Sequence, residues 1–388
     1  MDLTSLGLLN QHEVLNGHYG IFNSDVGFKQ FRKSYADLLS GSTKIYNIVA
    51  LGDSLTEGGI ADASNPQNWP YKSWLGLFRT ALANKFEFLG IGFVPVHYPY
   101  GKPFWTFNAG WSLIQDDQNY KWGVGNSFAM GSSGTGTCTF SFSGIGCSIY
   151  TANGSSGGKF TYQIDSGTTY TVDTSLDGDK YGIGVTTTNT VAQGSHTLTI
   201  TMQATGKDVV LFGAMPFNSA TNGFRVHCNA RWGKKSGDFC KSTDTDFPTG
   251  GSYFCEGLEI AEWNPVLTII ALITNDAMDG TPTPIASYTN NIQHLIDIAQ
   301  YVGSDVWLIN DCATDAMVAN NASSKPYADA LLQLAIKNGC AYSDLASFFG
   351  PSGSLNAYGV EASDDTHLNA LGHQMFENRM INQLFNSL

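Results

Sequence analysis

Ile48-Val49-Ala50-Leu51-Gly52-Asp53-Ser54-Leu55-Thr56-Glu57 is an apolar run that stops on a glycine, an acid and a serine. A short apolar, β-branched segment closed by turn residues reads as a buried strand. Open α/β sheets build their sites outside the carboxyl ends of strands. Ser54 therefore stands where a nucleophile would be presented. The same residues also describe an ordinary strand-to-helix turn whose serine caps the helix. A serine hydroxyl attacks only when a base takes its proton, so the nucleophile reading requires a histidine, oriented by an acid, elsewhere in the chain.

Outward from this strand, placed at Ile45–Leu51, the pattern is of two kinds. Residues 1–26 look irregular, and Gly27–Leu39 carries Phe28, Phe31, Tyr35 and Leu38 at helical spacing. A second helix is expected over Trp69–Phe86, with Trp74, Leu77, Phe78, Ala81 and Leu82 on one face. From about 100 to 222 short alternating strands take over: Thr137–Phe142, Lys159–Asp165, Thr169–Asp173, His196–Met202 and Asp208–Ala214. Strand and helix then alternate again: Phe224–Cys228 and Pro265–Ile273 as strands, Ile285–Val302 as helix, Val306–Asn310 as strand, Pro326–Lys337 as helix, Ala341–Leu345 as strand and Asn369–Phe385 as a last helix.

This rhythm predicts an α/β protein, a three-layer sandwich with a mostly parallel sheet, interrupted by an inserted antiparallel β-sandwich of jelly-roll type. The division is 1–43 as an N-terminal extension, 44–99 and 223–388 as the two parts of the α/β domain, and 100–222 as the insert. The lead-in to the insert holds Tyr98, Tyr100, Phe104, Trp105, Phe107, Trp111, Tyr120 and Trp122. Such rings can stack on sugars, although core packing is their ordinary role.

Composition narrows the partners. The 388 residues are 42% hydrophobic and 12% aromatic, enough for sizeable cores. Thirty-three acids against 20 bases give a net charge of −13, which repels phosphate backbones and argues against nucleic acid. Forty-three glycines, with many Ser, Thr and Asn, suit turn-rich β structure and neutral polar ligands. No window has the continuous apolar length of a membrane span, and the first residues lack the basic start and apolar stretch of a signal peptide. The seven cysteines (138, 147, 228, 240, 255, 312 and 340) include no Cys-x-x-Cys pair; a Cys138–Cys147 bridge across a hairpin is open, with buried thiols the commoner state.

The required partners come near the end of the chain. Asp364-Asp365-Thr366-His367 places an acid three residues before a histidine, just ahead of the last helix. On a loop, that spacing sets a carboxylate against one imidazole nitrogen and leaves the other to face a nucleophile. Asp365 is nearer still to His367 in sequence. Leu272-Ile273-Thr274-Asn275-Asp276 ends another apolar strand, and the Asn275 amide is a candidate donor to an oxyanion. Arg225–Gly233 ends a further strand, with Gly233 or Gly237 as a second, backbone donor. His196 opens a strand of the insert, His373 suits packing or capping, and His12, His18, His97, His227 and His294 have no acid at useful spacing.

Four strand-end segments in the order Ser, Gly, Asn, Asp-x-x-His resemble the blocks of the SGNH hydrolases, the GDSL esterase/lipase family. Gly52-Asp53-Ser54-Leu55 and Asp364-x-x-His367 are the most specific matches, and the likeness covers about 44–98 and 223–388. Two departures stand out: the family's Gly-x-Asn-Asp block reads Ile273-Thr274-Asn275-Asp276, and the second-block glycine aligns with either Gly233 or Gly237. The resemblance implies a flavodoxin-like core and ester hydrolysis without metal or organic cofactor. It implies Ser54 as nucleophile, His367 as base, Asp364 as orienting acid, and an oxyanion hole from the Ser54 and Gly233 N–H groups with Asn275. It further implies an acylated carbohydrate substrate handled outside the cell, at a cell surface or on a virion, as for members that carry β-sandwich modules. A lipid or small-ester hydrolase, and a glycan-binding or host-attachment protein on a vestigial hydrolase domain, are the competing expectations.

Overall fold

The computed structural model describes residues 21–96, 100–101, 103–114, 128–131, 136–175, 182–240, 263–278, 280–311, 314, 316–317, 323–349 and 354–387. His12, His18, His97, Tyr98, Tyr120, Trp122, Cys255 and Cys312 lie outside the described residues.

With strands numbered along the chain, one six-stranded sheet runs β1 (Ile21–Phe22), β17 (Ala341–Asp344), β16 (Asp305–Asn310), β15 (Leu267–Ala271), β2 (Ile45–Gly52), β14 (Gly223–Ala230). The pairs β14–β2, β2–β15, β15–β16 and β16–β17 are parallel, and β1 joins β17 antiparallel. Alternation along β2 sends Ile48 and Ala50 to one face, among Phe31, Trp74, Phe78 and Phe376. Val49 and Leu51 face the other way, among Ile292, Leu295, Leu331 and Leu334. Helices Lys29–Leu39, Trp74–Ala83 and Ala370–Asn386 thus cover one side, and Ile285–Tyr301 and Lys325–Asn338 the other. A strand buried on both faces has no polar side to show, which is why β2 and β15 read as unbroken apolar runs.

The other two sheets are antiparallel, so antiparallel pairing predominates among the described residues, and parallel pairing between strands of a sheet is confined to those four junctions, with isolated parallel bridges at Gly154–Ser175 and Gly157–Asp208. One sheet runs β10 (Tyr170–Asp173), β9 (Lys159–Ile164), β12 (Gly194–Met202), β7 (Thr137–Gly144), β4 (Trp105–Phe107). Its partner runs β11 (Gly182–Thr187), β8 (Gly146–Asn153), β13 (Val209–Phe217), β6 (Phe128–Gly131), β5 (Trp111–Ile114), with β3 (Val94–Pro95) paired to β13. Phe140, Ile149, Phe160, Leu198 and Leu211 fill the space between them. The sandwich also packs on the α/β part: Trp263 stacks on the buried His227 with ring centroids 4.2 Å apart and lies against Phe93 and Tyr150. His227 accepts from the Phe93 N–H through Nδ1 and faces the Asn47 side chain through Nε2.

Several expectations are corrected. Residues 21–26 are not irregular: they supply β1 and the short helix Ser24–Gly27. The helix expected over Trp69–Phe86 is broken at Ser73, whose hydroxyl caps Trp74–Ala83 by accepting from the Gly76 N–H. Cys138 and Cys147 are free and buried, not bridged. They do not flank a hairpin; β7 and β8 turn the corner from one sheet of the sandwich to the other, so the two thiols enter the core from opposite sides. Burial pushes both thiols up, that of Cys147 to about 12.

Candidate active site

The strand β2 ends on Gly52, where a Cβ would come within 2.1 Å of Thr56 Oγ1, so only glycine lets the chain turn this tightly. The short helix Ser54–Glu57 follows, and its cap is Asp53, not Ser54: Asp53 Oδ1 accepts the Leu55 N–H at 2.9 Å. Capping therefore makes no demand on the Ser54 hydroxyl.

That hydroxyl lies 2.8 Å from His367 Nε2, and His367 Nδ1 lies 2.6 Å from Asp364 Oδ2. A carboxylate only accepts, so Nδ1 carries the imidazole proton and Nε2 accepts from the serine. Asp364 Oδ1 also accepts the backbone N–H groups of Thr366 and His367, at 3.2 and 3.1 Å, which fixes the carboxylate from a second side. Burial pushes the Asp364 carboxyl up, but its hydrogen bonds to the His367 ring and to the His367 and Thr366 N–H groups help outweigh burial, and it is held below the usual carboxylate range. Asp365 takes a left-handed backbone, φ 55°, at the crest of the turn, and its carbonyl accepts from Ala316. The turn is closed by the Ala362 N–H on the His367 carbonyl at 2.7 Å and by an antiparallel bridge between Glu361 and Leu368. Two residues on, Asn369 caps Ala370–Asn386 by accepting from Leu371 and Gly372, and donates to the carbonyls of Gly359 and Glu361.

Asn275 stands in the short helix Thr274–Met278 after β15, and its Nδ2 donates to the Lys234 carbonyl at 3.0 Å. Gly233, adjoining Lys234, has φ 72° with open space on the side where a Cβ would lie. Gly237 belongs to the one-turn helix Ser236–Phe239, beside Asn291, and Ser236 is tied to Asp276 through both its N–H and its hydroxyl. Asn275 and the Gly233 loop are therefore brought together, while Gly237 is turned toward the helix Ile285–Tyr301.

The sequence did not single out three residues that frame this pair. The Trp232 ring lies on His367 with centroids 4.2 Å apart and stacks on Trp69 at 5.8 Å. Its backbone N–H is held at 2.7 Å by Glu57 Oε2, from a fully buried side chain. At Gly59 a Cβ would come within 2.7 Å of the Trp232 ring and 2.9 Å of the His367 ring. An acid in an otherwise buried segment was the available signal for Glu57. Beneath the serine, burial and then the charge of Asp311 hold the Asp53 carboxyl well above its usual range. A cavity of about 420 Å³ adjoins the histidine turn, lined by Ile60, Asp62, Lys72, Glu361 and Ala362 among others.

No family model and no curated protein matches the chain. Among solved structures, a peptidoglycan O-acetylesterase aligns over 95% of this chain and 97% of its own, with 17% identity and a TM-score of 0.66. A carbohydrate esterase family 2 enzyme with a carbohydrate-binding domain, from Corynascus thermopiles (Myceliophthora fergusii), aligns over 73% of this chain and 99% of its own, at 14% identity and a TM-score of 0.30. A lipase/acylhydrolase from Enterococcus faecalis aligns over 42% and 76%, at 15% identity and a TM-score of 0.32. The chain thus shares its fold, along nearly its whole length, with the peptidoglycan O-acetylesterase. Among the described residues no helix is long and apolar enough to cross a membrane.

Proposed function

We propose that the chain is a serine esterase that hydrolyses O-acyl esters, foremost O-acetyl esters, of a carbohydrate. The carrying observation is the unbroken relay Asp364–His367–Ser54, at 2.6 and 2.8 Å. His367 takes the Ser54 proton as the hydroxyl oxygen attacks the ester carbonyl, and the imidazolium is stabilised by Asp364. The Ser54 and Gly233 N–H groups and the second amide hydrogen of Asn275 receive the oxyanion. Collapse of the tetrahedral intermediate breaks the ester bond, and His367 returns the proton to the departing alcohol oxygen. The acyl group stays on Ser54 until water, deprotonated by the same imidazole, releases it as the carboxylic acid. No metal or organic cofactor enters the scheme.

The fold shared with a peptidoglycan O-acetylesterase supports an O-acetyl group on a glycan, and residues 100–222 are the part we assign to holding that glycan. Acetate release from a panel of acetylated glycans, wild type against Ser54→Ala, tests the reading. The variant should lose at least about a thousandfold in kcat while keeping its thermal midpoint. Full activity without the hydroxyl would sink it.

A further inference from the structure

We propose that Trp232 is the specificity-determining surface for the alcohol half of the ester, the plate on which a pyranose ring lies while its acyl group is removed. The inference rests on the esterase reading above and extends it to the leaving group. In that reading His367 Nε2 hands a proton to the departing oxygen, so that oxygen comes within about 3 Å of the imidazole. Ser54 and His367 are only 7% and 5% exposed, whereas the indole lying on the imidazole is 39% exposed. A leaving group that reaches Nε2 from solvent therefore meets Trp232.

The indole is held in place from several sides. Glu57, on the helix that begins with the nucleophile, fixes its backbone N–H. Trp69 backs it with rings 15° from parallel and is itself anchored by its indole N–H on the Asp62 carbonyl at 3.0 Å. Gly59 supplies no side chain where one would strike both the indole and the imidazole. Other large hydrophobic side chains are as exposed, and Trp232 is singled out by its place, with its ring on the imidazole that contacts the buried Ser54 hydroxyl. A fixed aromatic plate offers contact area at little entropic cost, and the hydrogens on the apolar face of a pyranose are drawn to the negative face of its π-system.

The test compares wild type with Trp232→Ala and Trp232→Phe on two acetates, peracetylated methyl glucopyranoside and ethyl acetate, whose leaving group has no ring. For Trp232→Ala the ratio of kcat/KM for the sugar to that for ethyl acetate should fall about tenfold, mostly through KM, with Trp232→Phe in between. Equal losses on both acetates would mean that Trp232 only braces the imidazole, and would overturn the inference. So would a wild-type protein that consumes ethyl acetate and leaves the sugar untouched. Labelling of Ser54 by a serine-directed phosphonate, read by mass spectrometry, separates the two levels. A labelled Ser54 with an unchanged ratio removes the inference alone, whereas no label on the wild type removes the esterase reading and the inference together.

Discussion

In the proposed relay Asp364 reaches Ser54 only through His367, which makes it an informative residue to perturb. Asp364→Asn keeps the shape but offers an amide where a carboxylate held Nδ1–H, so the wrong imidazole tautomer becomes available. Turnover should fall by about 10²–10⁴-fold with little change in KM, measured by steady-state kinetics on one acetate. Gly59→Ala tests the crowding beside the same ring: a methyl placed 2.7 Å from Trp232 and 2.9 Å from His367 must move one of them. Its kcat should drop more than tenfold while the thermal midpoint moves little, because reacting geometry is less forgiving than packing. Ser54, Asp364 and His367 were legible because polar residues at strand ends and in short turns are local signals. Glu57 and Trp232 were not, since the bond between them spans 175 positions and no local pattern announces it.

The C-terminal helix Ala370–Asn386 does more than cover the sheet, because its cap is also the far wall of the histidine turn. Asn369→Ala removes two accepted and two donated hydrogen bonds. The expected cost is about 1–2 kcal/mol in denaturant unfolding, with a smaller loss of activity than at Asp364. Elements of the α/β part were readable from two signals, unbroken apolar runs for β2 and β15 and the helical period for the long helices, and these fall within a few residues of their expected limits. In the insert, β8 escaped notice because it is buried on both sides, Ile149 toward the sandwich core and Tyr150 toward the α/β core, while Ser148 and Thr151 interrupt it, so it is neither alternating nor an unbroken apolar run. The two-residue β1 is too short for any periodicity and exists through its pairing with β17.

At the scale of the whole molecule, the titration of the fully buried His227 and His373 should contribute to its behaviour in acid. Burial is the first cause for both: it lowers His373 to about 4 and His227 well below 6.5, with the Arg225 and Arg79 charges adding to the latter. Between about 6.5 and 4 the unfolded chain binds a proton at His373 that the folded one refuses, so stability falls as pH falls, by about 1.4 kcal/mol per pH unit and group. Asp53, held above its usual range, works in the opposite sense over its own window, so the informative quantity is a difference between proteins. His373→Asn keeps an acceptor for the Trp74 N–H that Nδ1 now receives at 3.2 Å. Its unfolding free energy should decline less steeply from pH 7 to pH 5 than that of wild type; parallel curves would refute the assignment.

The nucleophile and its base meet across 313 positions, with the sandwich and most of the parallel sheet encoded between them. During synthesis, a ribosome that has added Ser54 has 313 positions still to cover before it reaches His367, the proposed base. On the proposed mechanism, a chain that stops short of His367 is silent toward esters, however well its first strands have formed. In the proposed mechanism, catalytic competence waits on the docking of the strand-helix unit that carries His367 against the strand that carries Ser54.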